Sequence, residues 1–324
     1  MRKLLSLASC LLVAAPLAAQ LQYSAGLVSA SELRALAIGN GGGGLRTVPA
    51  NTDLSAGWTL TSIASLASAT TTVSFLHGGT GPTVVTIEES CTASYYPNQP
   101  ASGATGPHWI RFVLRSSSPS GGRLRVSFTT DQLFGTTSGS ASVDIGADGS
   151  DEFSAQPGQF LAQDYFVAID SIGTPILIRT SAFARSAPTS RIRTTLSLRF
   201  EPATACTATS YGPGCGPSLS FGERFVGATK DVTFRITGAP PLALGVEAIG
   251  LVRANLPIPG TNCVLLTQPV VTLPLGIDSN GNGEITHPVP YDLPFTLDIQ
   301  DVAVQSAGGS IVLITSDALE VVCR

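Results

Sequence analysis

Arg123-Leu124-Arg125-Val126-Ser127-Phe128 decides the architecture. In an extended chain successive side chains point to opposite sides, so Leu124, Val126 and Phe128 share one face and Arg123, Arg125 and Ser127 the other. The stretch from Arg191 to Phe200 repeats the pattern, with Ile192, Leu196, Leu198 and Phe200 inward and Arg191, Arg193, Ser197 and Arg199 outward. A strand buried on one face reads this way. Working outward, further strands are expected at Thr71–Phe75, Thr83–Ile87, Ile110–Leu114, Ser142–Ile145, Tyr165–Ile169 and Ile176–Ile178. Gly121-Gly122, Asp148-Gly149 and Ser118-Pro119-Ser120 are turn signals between them. Many short strands without helical repeats predict an antiparallel β-sandwich, jelly-roll or immunoglobulin-like.

Glu201 to Gly216, rich in Pro, Cys, Ser, Thr and Gly, interrupts this pattern and marks a domain boundary. Alternation resumes at Lys230–Thr237 and Phe295–Gln300, and Val264–Leu266, Val270–Leu273, Ile311–Ile314 and Leu319–Cys323 extend the second set. The predicted fold class is therefore all-β: two antiparallel β-sandwich domains, over 45–203 and 207–324. Residues 20–44 precede them as a short helix and a Gly-rich linker. Ser29-Ala30-Ser31-Glu32 fits a capping box, Leu33, Leu36 and Ala37 share a helical face, and Gly39 stands where a helix ends. Gly39 to Gly44 matches the dinucleotide fingerprint literally, but no strand precedes it and no helix follows, so it reads as a linker.

The first nineteen residues read as a cleaved secretory signal. Arg2 and Lys3 form its positive end, Leu4 to Leu17 its apolar stretch, and Leu17-Ala18-Ala19 its cleavage site. Leu7-Ala8-Ser9-Cys10 resembles a lipoprotein box, but the apolar run continues past it. No later segment reaches the length of a spanning helix, so no integral membrane span is expected. The chain of 324 residues is 12% charged and 43% hydrophobic, with mean hydropathy +0.29, which argues against a disordered chain. A net charge of -4 argues against a nucleic-acid partner. The expected location is secreted or in the cell envelope.

Five cysteines follow the leader: Cys91, Cys206, Cys215, Cys263 and Cys323. Export favours disulfides. Four of them lie near the C-terminus, so two bridges are expected there, with Cys91 a buried free thiol. Cys215 with Cys263 and Cys206 with Cys323 is one pairing. Cys206 with Cys215 and Cys263 with Cys323 is the rival, and spacing alone does not choose.

The second set carries Tyr211-Gly212-Pro213-Gly214-Cys215, Ala239-Pro240 with Leu244-Gly245, Asn262-Cys263-Val264-Leu265-Leu266, a Gly/Asn hairpin from Asp278 to Gly283 before Val289-Pro290, and Ser316-Asp317-Ala318-Leu319. On these motifs, residues 207–324 resemble a C-terminal domain common in exported, functionally unassigned proteins of planctomycete-type bacteria. Asn262 stands where that pattern has Gly and Asp317 where it has Asn, and Cys206 and Cys323 are additions. The resemblance implies a secreted β-sandwich with a Cys215–Cys263 bridge and supplies no activity.

Candidate sites are sparse. Asp278, Asn280 and Asn282 fit the first half of a calcium loop, but its twelfth position is Val289 instead of Glu, which favours an Asn-Gly hairpin turn. Asp144, Asp148 and Asp151, with Glu152, crowd carboxylates into one turn, read first as a solvated turn and second as a weak calcium site. Calcium is the one cofactor these residues suggest. Tyr95, Tyr96, Trp109 and Arg111 are the candidate ligand-binding residues, because aromatics beside polar groups stack on and bond to sugar rings. Trp109, next to Ile110 and Phe112, is expected mostly in the core. The outward arginines Arg111, Arg115, Arg123, Arg125, Arg191, Arg193 and Arg199 read as a solvated face paired with acids before they read as a site for anionic polysaccharide. His77, His108 and His287 lie far apart, with surface positions the default. There is no nucleophile elbow or Ser-x-x-Lys box, and no catalytic residue is assigned. The expected function is a non-catalytic binding or adhesion protein contacting glycan or another surface protein. A structural envelope component is the alternative, and a polysaccharide-cleaving enzyme the least favoured.

Overall fold

The structure is a computed structural model that describes residues 21–27, 33–39, 42–48, 54, 57–77, 83–94, 97, 101–116, 120–133, 135–156, 158–185, 189–307 and 310–324. Residues 1–19, where a secretory leader is expected, the cap residues Ser29–Glu32 and the pair Tyr95 and Tyr96 lie outside them. The chain is all-β, with no helix among the described residues.

Thirteen strands precede residue 203: β1 (Leu21–Leu27), β2 (Leu33–Gly39), β3 (Gly42–Val48), β4 (Trp58–Ala64), β5 (Ala67–His77), β6 (Thr83–Ala93), β7 (Ser102–Ser116), β8 (Ser120–Leu133), β9 (Thr136–Ile145), β10 (Phe153–Ala155), β11 (Leu161–Ile169), β12 (Thr174–Arg185) and β13 (Ser190–Pro202). They form two antiparallel sheets. One runs β10-β9-β12-β7-β2-β3, with β1 sharing the β7 edge; the other runs β11-β8-β13-β6-β5-β4. Their inner faces meet in a core of Ile110, Phe112, Leu114, Val126, Phe128, Ile176, Ile178, Leu198 and Phe200. Alternation alone places these residues, because every second one is apolar and a sheet covered on one side buries that set.

The cap of the expected short helix lies outside the described residues; Leu33–Gly39, which follows it, is strand β2 and pairs with both β3 and β7. Ala35 and Ala37 are buried while Ile38 is exposed, and the Gly-rich segment continues as β3.

The remaining strands are β14 (Cys206–Tyr211), β15 (Ser218–Val226), β16 (Thr229–Thr237), β17 (Leu244–Pro257), β18 (Val264–Gly276), β19 (Gly283–Pro290), β20 (Phe295–Ala307) and β21 (Ser310–Cys323). A five-stranded sheet, β14-β21-β20-β17-β18, faces a three-stranded one, β15-β16-β19. Val232, Phe234, Ile299, Leu319 and Val321 fill the gap. Cys206 bonds to Cys323, its register partner across β14 and β21, and Cys215 bonds to Cys263 with Cα atoms 5.2 Å apart. Cys91 is a buried free thiol, pushed up to about 12 by its burial first and then by Glu89.

All strand pairing stays on its own side of residues 203–205. Across that link the halves touch through rings. Phe166 meets Tyr291 at 5.3 Å and Tyr291 meets Phe225 at 6.4 Å, both edge-on. A Cβ on Gly121 would run into the Phe225 ring, so the glycine makes room for it.

Candidate functional site

Strand order β9-β12-β7 gathers residues that are distant in sequence onto the outer face of the seven-stranded sheet. Ile110, Phe112 and Leu114 point inward on β7, so Trp109 and Arg111 must point outward. The expectation of a core Trp109 is thus corrected: its residue is 41% exposed, because parity along the strand, not the character of its neighbours, sets its side. Opposite Trp109 on β12 stands Arg179, and opposite Arg179 on β9 stands Ser142. The Arg179 guanidinium lies 5.5 Å from the indole centroid, within cation–π range. Its Nη1 donates to both oxygens of Asp151, at 2.8 and 3.0 Å, and its Nη2 lies 3.8 Å from Asp144. Arg111 faces Leu177 across the same strand pair. Arg179 is the member that sequence reading missed. Its signal was the inward pair Ile176 and Ile178, which sends Leu177 and Arg179 outward.

The same face ends in the acidic turn. Oxygens of Asp144, Asp148 and Glu152 lie within 4.8 Å of one another. Backbone donors already hold them. Asp144 accepts from the Asp148 and Gly149 N–H groups at 3.1 and 3.0 Å, Asp148 from Ser150 at 2.9 Å, and Glu152 from Ile145 at 2.6 Å. With Arg179 pairing Asp151, the cluster is a tight turn with its charges engaged. The loop at Asp278 is built likewise: Oδ1 accepts from the N–H groups of Asn280 and Asn282 at 2.8 and 2.9 Å. Those bonds hold the Asp278 carboxyl below its ordinary range. Gly281 closes the turn at φ +80°, with the Ala239 carbonyl where a side chain would stand.

On the six-stranded sheet, outward arginines meet acids. Arg123 and Arg199 both pair with Glu201, Arg125 with Asp164, and Arg193 with Glu88. Arg123 holds the Glu201 carboxyl down by a side-chain hydrogen bond.

Two histidines are not where the surface default placed them. His108 is fully buried, with Nε2 3.1 Å from Glu89 and 3.0 Å from Thr71 Oγ1, while Thr180 and Thr194 donate to Glu89. His287 reaches from β19 to Glu247 on β17 at 2.5 Å. In each half a Glu–His pair crosses from one sheet to the other. The side chain of His77 is outside the described residues.

A cavity of about 250 Å³ lies where the halves meet, lined by Gly121, Ile169, Thr204, Glu223, Phe225 and Lys230 among others. Lys230 Nζ donates to the Thr204 carbonyl and hydroxyl at 2.7 and 3.0 Å and lies 3.8 Å from Glu223. Burial lowers the Lys230 pKa and raises that of Glu223. With its hydrogens placed, this lysine pins the link between halves.

Compared with known protein families, with curated proteins and with solved structures, the chain matches none.

Proposed function

We propose that this is an exported, non-catalytic binding protein that contacts glycan through the outer face of its seven-stranded sheet. The observation that carries the reading is the solvent-exposed Trp109, set in the strand ladder with Arg111 beside it and Arg179 braced over its ring by Asp151. A rigid ring on a strand presents a flat apolar surface at low ordering cost, and charged groups at its margin supply direction. The leader read at residues 1–19 and the two disulfides support a location outside the reducing cytosol. Affinity electrophoresis through soluble polysaccharides, neutral and anionic, tests it. The native chain is expected to be retarded by at least one polysaccharide. Trp109→Ala should weaken retention about tenfold, from a ring contact worth ~1.4 kcal/mol, without lowering the melting temperature. Equal mobility of both proteins in every gel rejects this face as the site.

A second reading, a structural envelope component, rests on β18. It is an edge strand carrying exposed Val270 and Val271, with exposed Leu251 and Val252 on neighbouring β17. Concentration-dependent association in sedimentation, abolished by Val270→Lys, favours it.

A further inference from the structure

Glu247 and Asp301 are register partners on β17 and β20, and both point between the two sheets of the second half. Both are fully buried, at 0% and 1% exposure. They part the core, with Ile249, Ile299 and Phe234 on one side and Ala303, Leu275 and Ile236 on the other. Glu247 Oε1 meets His287 Nε2 at 2.5 Å. The second oxygen, Oε2, and Asp301 Oδ1 have no hydrogen-bond partner among the described residues.

Two ionised carboxylates only accept hydrogen bonds, so they cannot satisfy each other. One proton changes that, because a carboxylic acid donates to the carboxylate opposite and both orphan oxygens are answered together. A divalent cation needs more. Calcium takes six to eight oxygens and zinc about four ligands. The pair brings two unpartnered oxygens and an imidazole nitrogen already bonded to Glu247.

We propose that Glu247 and Asp301 hold a single shared proton between the sheets of the second half, and that His287 connects this proton to solvent, making the packing of that half responsive to pH.

The surroundings isolate the group. From β16 it is faced by Val232 and Phe234, and the Phe234 ring lies 5.9 Å from that of His287. Lys230, further along β16, is committed to Thr204 and Glu223. β18 offers Leu275 and β21 offers Leu319 and Val321, while Ser316 Oγ accepts the Asp301 N–H at 3.0 Å. Asp298 alternates to the opposite face, with Arg253 and Glu320. His287, at 24% side-chain exposure, is the member of the triad that reaches water.

Burial, and then the charge of Glu247, push Asp301 up to about 8. In the unfolded chain the same group titrates near the usual carboxylate value, so between these values the native state binds the extra proton. Stability from this group is full below the unfolded pKa and is lost as pH rises through about 8. The folding constant should fall by up to about tenfold per pH unit across that window.

The test compares the full chain with Asp301→Asn and Glu247→Gln. Urea unfolding from pH 5 to 9 should show the decline in the native protein and a flatter profile in Asp301→Asn, whose amide donates without titrating. Infrared spectra should show a protonated carboxyl band at pH 6 that falls to about half near pH 8 and is absent from Asp301→Asn. Should that variant fail to fold, Glu247→Gln decides, because removing the neighbouring charge must move the band's titration to lower pH. The proposal is overturned if Asp301→Asn keeps the native pH slope, or if the native protein shows no such band. It is equally overturned if added calcium or zinc abolishes the band at pH 6 while raising stability.

Discussion

At Glu89 and His108 two ionisable groups are sealed inside the first sandwich, with the Thr71 hydroxyl beside the imidazole and Thr180 and Thr194 donating to Glu89. Removing Glu89 leaves the buried His108 ring nitrogen and the Thr180 and Thr194 hydroxyls short of a hydrogen-bond partner, which costs more than the bonds contribute. Glu89→Ala is therefore expected to lower the unfolding free energy by about 1–3 kcal/mol in urea titration. An effect below ~1 kcal/mol would mean that the imidazole relaxes to another acceptor. His108 is two residues before Ile110 and so shares the parity of the inward set, a signal that the surface default passed over. Its partner Glu89 has the same parity as Ile87 and Cys91. The faces of both were legible from the strand pattern, but their meeting was not, because β6 and β7 belong to different sheets.

Among elements, β7 is central: it pairs with β12 along one edge and with β1 and β2 along the other. The sandwich it helps to build tapers. Phe112, Phe128, Phe153 and Phe200 fill one end, and Ala35, Ala69, Cys91, Ala93, Ala182 and Ala184 the other. Small side chains let the sheets approach, and at Gly103 the β7 backbone comes against the Ser68 carbonyl of β5, leaving no room for a Cβ. Gly103→Ala must push the sheets apart or distort a strand, an overpacking cost of about 1–3 kcal/mol readable as a lower midpoint in denaturant. Unchanged stability would show that the taper is soft. In the sequence, Gly103 is one of 34 glycines with nothing to single it out. Its role depends on a backbone from another sheet.

At the scale of the whole molecule the halves are held by different means. The first relies on its core and keeps Cys91 as a thiol; the second carries both bridges, closing separations of 117 and 48 residues. The bridges remove chain entropy worth about 5 and about 4 kcal/mol respectively in the loop-closure account, with measured losses usually 2–5 kcal/mol. Both tryptophans, Trp58 and Trp109, belong to the first half. Reduction should thus lower the melting transition seen by far-ultraviolet circular dichroism while the tryptophan fluorescence transition moves less. Equal shifts in both would mean that the Gly121–Phe225 and Phe166–Tyr291 contacts melt the halves as one.

Alternation by twos, read along the chain, was sufficient for the all-β class, for the inner faces at Leu124–Phe128 and Ile192–Phe200, and for the turns at Asp148-Gly149 and Asn280-Gly281. These are local properties, set by how an extended backbone directs neighbouring side chains. Which faces become neighbours is a matter of strand order and sheet stacking, which no local pattern contains. Only the tertiary structure set Trp109 beside Arg179 and Asp151, chose the disulfide pairing left open by spacing, and brought Glu247, Asp301 and His287 together, because those contacts join strands far apart in the chain whose adjacency is fixed by long-range pairing and burial.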